Sequence, residues 1–266
     1  MSALLFAAGA GGIEELDDSR TLVVYAEGRE GAERIAARAR RLLAETLPNS
    51  HEVTLSVEVD EHSDWASAWT RYLGQIALTP TLVIQPQWDE TEAPAGARRI
   101  FYEPQLSFGD GAHATTRLAA LALEQGSRER AGARLLDFGS GTGVLSFVAL
   151  LSGVEFTWGV DIDPVSVAAA QRNAALNGLS ERAWFGLPDA LAQDRFDWVV
   201  ANLEAPTLLA CAPAITRLAA HADQILVTGF LGAREAEIAA AFAPNFRVLR
   251  AAHEGDWALL ELSPGQ

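Results

Sequence analysis

Apolar residues follow two rhythms along this chain. From about residue 115 onward, short runs rich in Val, Leu, Phe and Trp alternate with longer stretches rich in Ala and Leu. The runs RLLDF, TWGVDI, RAWFG, DWVVANL and QILVTGF have the length and composition of strands, and the stretches between them have helical length. Such alternation predicts an α/β fold, a doubly wound and mostly parallel sheet. The end departs from that rhythm. FRVLRAAHEGDWALLELS reads as two strands joined by the short turn HEGD, so an antiparallel hairpin is expected to close the sheet.

Upstream the pattern is different. Residues 1–60 read as a small α+β module. IEEL and TLVVYAE are short strand-like runs around the turn residues Asp17, Asp18 and Ser19. Residues 30–46 form an amphipathic helix with Ile35, Leu42 and Leu43 near one stripe, ended by Pro48 and Asn49. HEVTLSVEVD alternates like a half-buried strand. Residues 61–100 read as a linker in which DWASAWTRYL is helical, TLVIQP is a strand and TEAPAGARR is a loop. The remaining residues, 101–266, form the larger α/β domain.

Composition narrows the classes. Hydrophobic residues make up 49% of the 266 positions, which supports a sizeable core. No apolar run reaches the roughly 18–20 residues that span a bilayer, so no membrane association is expected. MSALLFAAGAGG lacks a basic start and is followed at once by Glu14, Glu15, Asp17 and Asp18, which reads as a mature terminus and not a signal peptide. The single cysteine, Cys211, excludes an internal disulfide framework and a thiolate metal cluster; it fits a reducing, cytoplasmic setting and no metal. The net charge of −15 disfavours direct nucleic-acid binding and attracts a basic partner. The sequence contains no lysine, which excludes Schiff-base catalysis, a P-loop lysine and self-modification at lysine side chains.

Candidate chemistry sits at the start of the α/β domain. The first strand runs into DFGSGTG at 137–143 and then into the helical VLSFVALL. Glycines at 139, 141 and 143 permit positive φ and close ligand approach, and the helix start offers free N–H groups. The spacing is G-x-G-x-G, neither the G-x-G-x-x-G of dinucleotide folds nor a Walker A loop. The second strand ends in VDIDP. Asp161, about twenty residues past the loop, is placed to accept hydrogen bonds from ribose hydroxyls. Asp163 faces the other way and, with Pro164 behind it, reads as a helix N-cap and N1 pair. Ile162 can pack against a base. Asp189 in GLPDAL can meet an adenine amino group, and a solvated loop aspartate fits that position equally well.

Together, LLDFGSGTG, GVDIDP, the NAALNG helix end at 173–178 and the closing hairpin resemble the Rossmann-like S-adenosyl-L-methionine-dependent methyltransferases. FGDGAHATT at 108–116 and VVAN ending at Asn202 resemble more narrowly the bacterial ribosomal-protein methyltransferase family (PrmA-like), as do DWASAWTRYL and LVIQPQW. The similarity covers roughly residues 60–262 and, more loosely, 10–60. That family multiply methylates amines of the large-subunit stalk-base protein. Its pre-helix motif reads F-G-T-G-x-H-x-T-T, matched here by Phe108, Gly109, Gly111, His113, Thr115 and Thr116. The resemblance implies that this loop folds over the methionine end of the cofactor, with Thr116 on it. It implies loop and ribose contacts at Gly139 and Asp161, and Phe108, Asp137, Gly141, Ile162 and Asp189 are expected to join them as cofactor-binding residues. Asn202 is implied at the interface of amine and cofactor, as the catalytic residue and as a cofactor contact.

The chain departs from the family at Asp110, where the family has threonine, and at LEAP after Asn202. Its N-terminal module also reads as a shortened version of a ferredoxin-like unit that recognises the ribosomal substrate. The expected function is therefore methylation of lysine or other amino groups of a ribosomal protein, by a monomer. The alternatives are another protein or small amine as acceptor, or a cofactor-binding protein without turnover. LEAP after Asn202 argues against enzymes with an N-P-P-aromatic signature, and the glycine spacing with the terminal hairpin argues against a nicotinamide-dependent oxidoreductase. His113 reads as a general base or, more simply, as a residue that structures its own turn through a backbone bond.

Overall fold

The computed structural model describes residues 13–15, 22–24, 28–46, 74–103, 113–127, 132–192, 195–243 and 245–265. The chain divides into two compact units, Met1–Trp69 and Thr70–Gln266. In the first unit, β1 (Ile13–Glu15) pairs antiparallel with β2 (Leu22–Val24), and α1 (Gly28–Thr46) follows. Ala36, Ala39 and Leu43 are buried on α1, at helical spacing. HEVTLSVEVD and DWASAWTRYL lie outside the described residues.

The second unit opens with a three-stranded sheet. β4 (Leu82–Pro86) pairs antiparallel with β3 (Ile76–Thr79) and parallel with β5 (Arg98–Tyr102). Residues 98 and 99, expected as the end of a loop, begin β5. Two exposed arginines hide this strand from the sequence pattern, but Ile100 and Tyr102 behind them are buried. Leu82, Ile84, Ile100 and Tyr102 share one apolar core with the helices of the larger sheet.

That larger sheet contains β6 (Arg134–Phe138), β7 (Phe156–Val160), β8 (Ala183–Gly186), β9 (Trp198–Asn202), β10 (Gln224–Leu231), β11 (Phe246–Glu254) and β12 (Trp257–Pro264). Its order is β11-β12-β10-β9-β6-β7-β8. The five strands from β10 to β8 are parallel, and β12 runs antiparallel to both β10 and β11. The helices α2 (Ala114–Ser127), α3 (Val144–Ser152), α4 (Pro164–Leu176), α5 (Ala205–Leu218) and α6 (Glu235–Phe242) cover the two faces. Period-two alternation sends Leu135, Trp198, Val200 and Leu226 into one core with α2, α3 and α4, and Leu136, Val199, Ala201 and Ile225 into the other with α5 and α6. No helix among the described residues is long and apolar enough to cross a membrane.

Two local devices fix the strand ends. The first is at α3. Its N-cap is Gly143 (φ 86°), which has no side chain to satisfy the first-turn N–H groups. Asp137 of β6 supplies the missing acceptor: its Oδ2 takes hydrogen bonds from Ser146 N at 3.1 Å and Ser146 Oγ at 2.8 Å. The carboxyl is fully buried. Burial pushes its pKa up to about 7, the Ser146 bonds oppose that rise and the nearby Asp161 carboxylate adds to it. The second device is at β10. Its pairing with β12 shifts between Thr228 and Phe230, and Gly229 (φ 98°) sits in the shift. A Cβ there would lie 2.1 Å from Leu203 O and 2.5 Å from Leu203 C, so the missing side chain lets the chain cross directly after Asn202.

Both devices generate measurable outcomes. Gly229→Ala combines a left-handed φ with a clash against backbone, and urea denaturation should show a loss of at least about 2 kcal/mol. Because the folded-state pKa of Asp137 lies above the usual carboxylate value, the folded state holds the proton more tightly. Stability is then greatest at acid pH relative to this group and falls as pH rises from about 4 through about 7. Asp137→Asn keeps an acceptor for Ser146 and removes the titration, so its denaturation midpoint should vary less than that of the parent over this range.

Candidate active site

The parallel register places three strand ends level. Phe138 pairs with Val160 of β7 on one side and with Ala201 of β9 on the other. The next residues, Gly139, Asp161 and Asn202, therefore lie together at one edge of the sheet, Asn202 as the last residue of β9. This edge lies where the order reverses between β6 and β9, the position at which open α/β sheets bind ligands.

The glycine loop is built by backbone bonds. Gly139 N and Ser140 N both donate to Val160 O, at 2.8 and 3.0 Å, and Gly143 N donates to Ser140 O at 2.8 Å. Gly139 has φ 78°, and a Cβ on it would lie 2.5 Å from Leu203 Cδ2. Glycine here thus brings the loop against the residue that follows Asn202. Asp161 is held by the same loop: its Oδ2 accepts from Gly141 N at 2.9 Å, and its Oδ1 accepts from Asp163 N at 2.9 Å. Each carboxylate oxygen keeps capacity for a further donor. Asp163 faces away and caps α4, accepting from Val165 N at 3.0 Å and Ser166 N at 3.2 Å, with Pro164 at the first helical position. The bonds from Val165, first, and Ser166 hold its pKa below the usual carboxylate value.

Apolar surface flanks the carboxylate. Ile162 is 85% exposed, and Leu187, just past β8, is 44% exposed. β8 ends beside Asp161, whose N–H donates to Gly186 O at 3.3 Å. Asp189 sits in the exposed short turn Pro188–Ala190 that follows. This side of the edge offers an acceptor pair, an apolar face and an outlying carboxylate, which is a set suited to a ribose and a base.

On the other side, α2 brings Thr116 to Asn202. Thr116 is buried, and Asn202 Nδ2 donates to its Oγ1 at 3.4 Å. His113 starts this helix. Its carbonyl accepts from Thr116 N and Arg117 N, and its Nδ1 lies 2.8 Å from Thr115 Oγ1. The imidazole packs edge-on against Trp257 of β12, with ring centroids 4.5 Å apart. These contacts make His113 the residue that anchors the helix start. Arg117 and Glu254 add an ion pair between α2 and the end of β11.

Of the residues singled out from sequence, Gly139, Gly141, Asp161, Ile162, Asn202 and Thr116 gather at this edge, with Asp189 at its rim. Asp137 lies behind the loop as the cap of α3, so its carboxyl supports the loop from within. Phe108 and Asp110 lie outside the described residues. Sequence reasoning missed Ser146 and Gly229. Neither carries a local signal, because each matters only through a partner distant in sequence.

The ribosomal protein L11 methyltransferase (PrmA) family model matches residues 9–263. The ribosomal protein L11 methyltransferase of Myxococcus xanthus (strain DK1622) is 33% identical over 270 residues, covering 97% of this chain and 92% of its own length. Its counterpart in Sorangium cellulosum (strain So ce56) is 35% identical over 252 residues, covering 91% of this chain and 78% of its own. The solved ribosomal protein L11 methylase of Lactobacillus delbrueckii subsp. bulgaricus aligns with a TM-score of 0.62 at 28% identity, over 73% of this chain and 100% of that one. The match takes in both compact units, and the chain belongs to the ribosomal protein L11 methyltransferase family, whose members are S-adenosyl-L-methionine-dependent enzymes.

Proposed function

We propose that this chain transfers methyl groups from S-adenosyl-L-methionine to amino groups of a ribosomal protein, with the L11 protein for which its relatives are named as the acceptor. The observation that carries this reading is the meeting of Asn202 and Thr116 at the strand edge that also holds the glycine loop and Asp161.

The residues fit the cofactor. Asp161 has free acceptor capacity for two ribose hydroxyls and is already oriented by two backbone N–H groups. Ile162, exposed and apolar, would pack against the base, and Asp189 in the exposed turn past β8 would accept from its amino group. The glycine loop allows close approach of the chain to the ligand, with Thr116 at the methionine end. When bound, the cofactor supplies a methyl group already activated by its sulfonium. What remains for the protein is alignment and a neutral amine. With Nδ2 of Asn202 directed to Thr116, its Oδ1 accepts a hydrogen bond from the incoming amine. An uncharged acceptor aligns the nitrogen without favouring the ammonium form, as a carboxylate in its place would.

We assign the first compact unit to recognition of the protein substrate. The net charge of −15 favours a basic partner. A chain without lysine also offers no side-chain ε-amine of its own to compete with the substrate. A cytoplasmic monomer is the setting this reading implies.

Calorimetry with S-adenosyl-L-methionine and labelled-methyl assays on purified L11 and on whole lysate test the proposal together. Binding plus label on L11 supports it. Binding with label only on another protein would move the acceptor, and absence of binding would sink the reading. Asp161→Ala should weaken cofactor binding by about tenfold or more, the loss expected for charge-assisted hydrogen bonds. Asn202→Ala should leave cofactor affinity within about threefold and reduce kcat on the order of 100-fold through lost alignment; full turnover in that variant would remove its role.

A further inference from the structure

Asn173 of α4 and Asn177, the residue that caps its C-terminal end, belong to none of the groups that meet at the strand edge, yet Asn173 is fully buried in a helix otherwise rich in alanine. Its amide is committed on both sides. Oδ1 accepts from Glu103 N at 3.0 Å, and Nδ2 donates to Thr142 O at 3.1 Å. Thr142 lies inside the glycine loop, and Glu103 is the residue just past β5. One turn further on, Asn177 Oδ1 accepts from Phe101 N at 2.8 Å and Asn177 Nδ2 donates to Phe101 O at 2.7 Å.

The spacing explains how a helix can do this. β5 is an edge strand, bonded to β4 on one side only. Its other edge presents the backbone groups of Phe101 and Glu103, two residues apart and so separated by about 6.6 Å. Side chains four apart on a helix are separated by about 6 Å along its axis and share a face. Asparagines at 173 and 177 therefore stand in for a neighbouring strand. Asn177 touches only the strand and its own helix. Of the two asparagines, Asn173 is the one bonded both to the residue just past the strand and to the glycine loop.

We infer that Asn173 is a positioning residue that couples the glycine loop to the end of β5, the root from which the chain continues toward FGDGAHATT and α2. Through Asn173 the Thr142 carbonyl, and with it the loop's geometry for the cofactor, is set by the strand that precedes the acceptor side. A buried amide of this kind is the only group in the pair that senses both. This inference rests on the cofactor reading above.

The test is a pair of near-isosteric variants. Asn173→Asp keeps the acceptor for Glu103 N and replaces the donor to Thr142 O with a repelling oxygen. Asn177→Asp keeps the acceptor for Phe101 N and loses donors to Phe101 O and its own helix. Cofactor affinity is measured by calorimetry, and melting temperature is measured alongside. Asn173→Asp should weaken S-adenosyl-L-methionine binding by about tenfold or more, whereas Asn177→Asp should change it by less than about threefold at a similar loss of thermal stability. Equal effects of the two variants on affinity, or no effect of Asn173→Asp, would reduce Asn173 to a structural residue and overturn the inference. Should Asn173→Asp fail to fold, Asn173→Ser in the same assay decides by the same criterion. Failure of the parent protein to bind the cofactor would instead defeat the underlying reading, so the two failures are distinguishable.

Discussion

The hydrogen-bond register that sets Phe138 beside both Val160 and Ala201 is the constraint on which the rest of the molecule depends. Parallel strands bonded in this register must end together. Whatever residue follows each pair is then delivered to the same edge, independently of its own chemistry. Gly139, Asp161 and Asn202 are separated by tens of positions in the sequence and are neighbours only because the ladder between them is level. The chain order reverses at the same place, between β6 and β9. Residues of three strands can therefore act on one ligand without any of them being strained toward it.

Around that edge, residues from elsewhere in the sequence hold the backbone in place. Asp137 caps a helix that begins with glycine. Asp161 is gripped by a loop amide before any ligand arrives. Gly229 removes a side chain from β10 so that the backbone at Leu203 can pass. Each device binds a strand end to its neighbour, and each acts through groups that are buried or half-buried, where a hydrogen bond is strengthened by the low local dielectric. The exposed ion pairs, such as Arg172 with Glu103, contribute little by comparison.

Much of this architecture was legible in the sequence. RLLDF emerges as β6 at its full extent, and the glycine loop, the Asp163 cap and the terminal hairpin stand where their residue types place them. These features are local: a turn needs its glycine, and a helix start needs its cap, within a few residues. What the sequence concealed is long-range. β5 begins with two arginines and reads as loop, and only its pairing with β4 and with two asparagines some seventy residues later makes it a strand. Asp137 reads as a ligand contact because aspartate beside a glycine loop often is one, and only the distance to Ser146 shows its carboxyl turned inward. NAALNG stands out as a motif, but its use depends on a strand that the pattern does not reveal.

The packing of His113 against Trp257 has a consequence for how the protein matures. The residue that opens α2 rests on the last strand of the chain, and that strand also lies between β10 and β11. A growing polypeptide that has already completed its glycine loop and its Asn202 strand still lacks the surface on which the front of α2 is seated. The front of α2 is thus seated only once β12 has taken its place between β10 and β11, which ties the meeting of Thr116 with Asn202 to closure of the sheet by its hairpin.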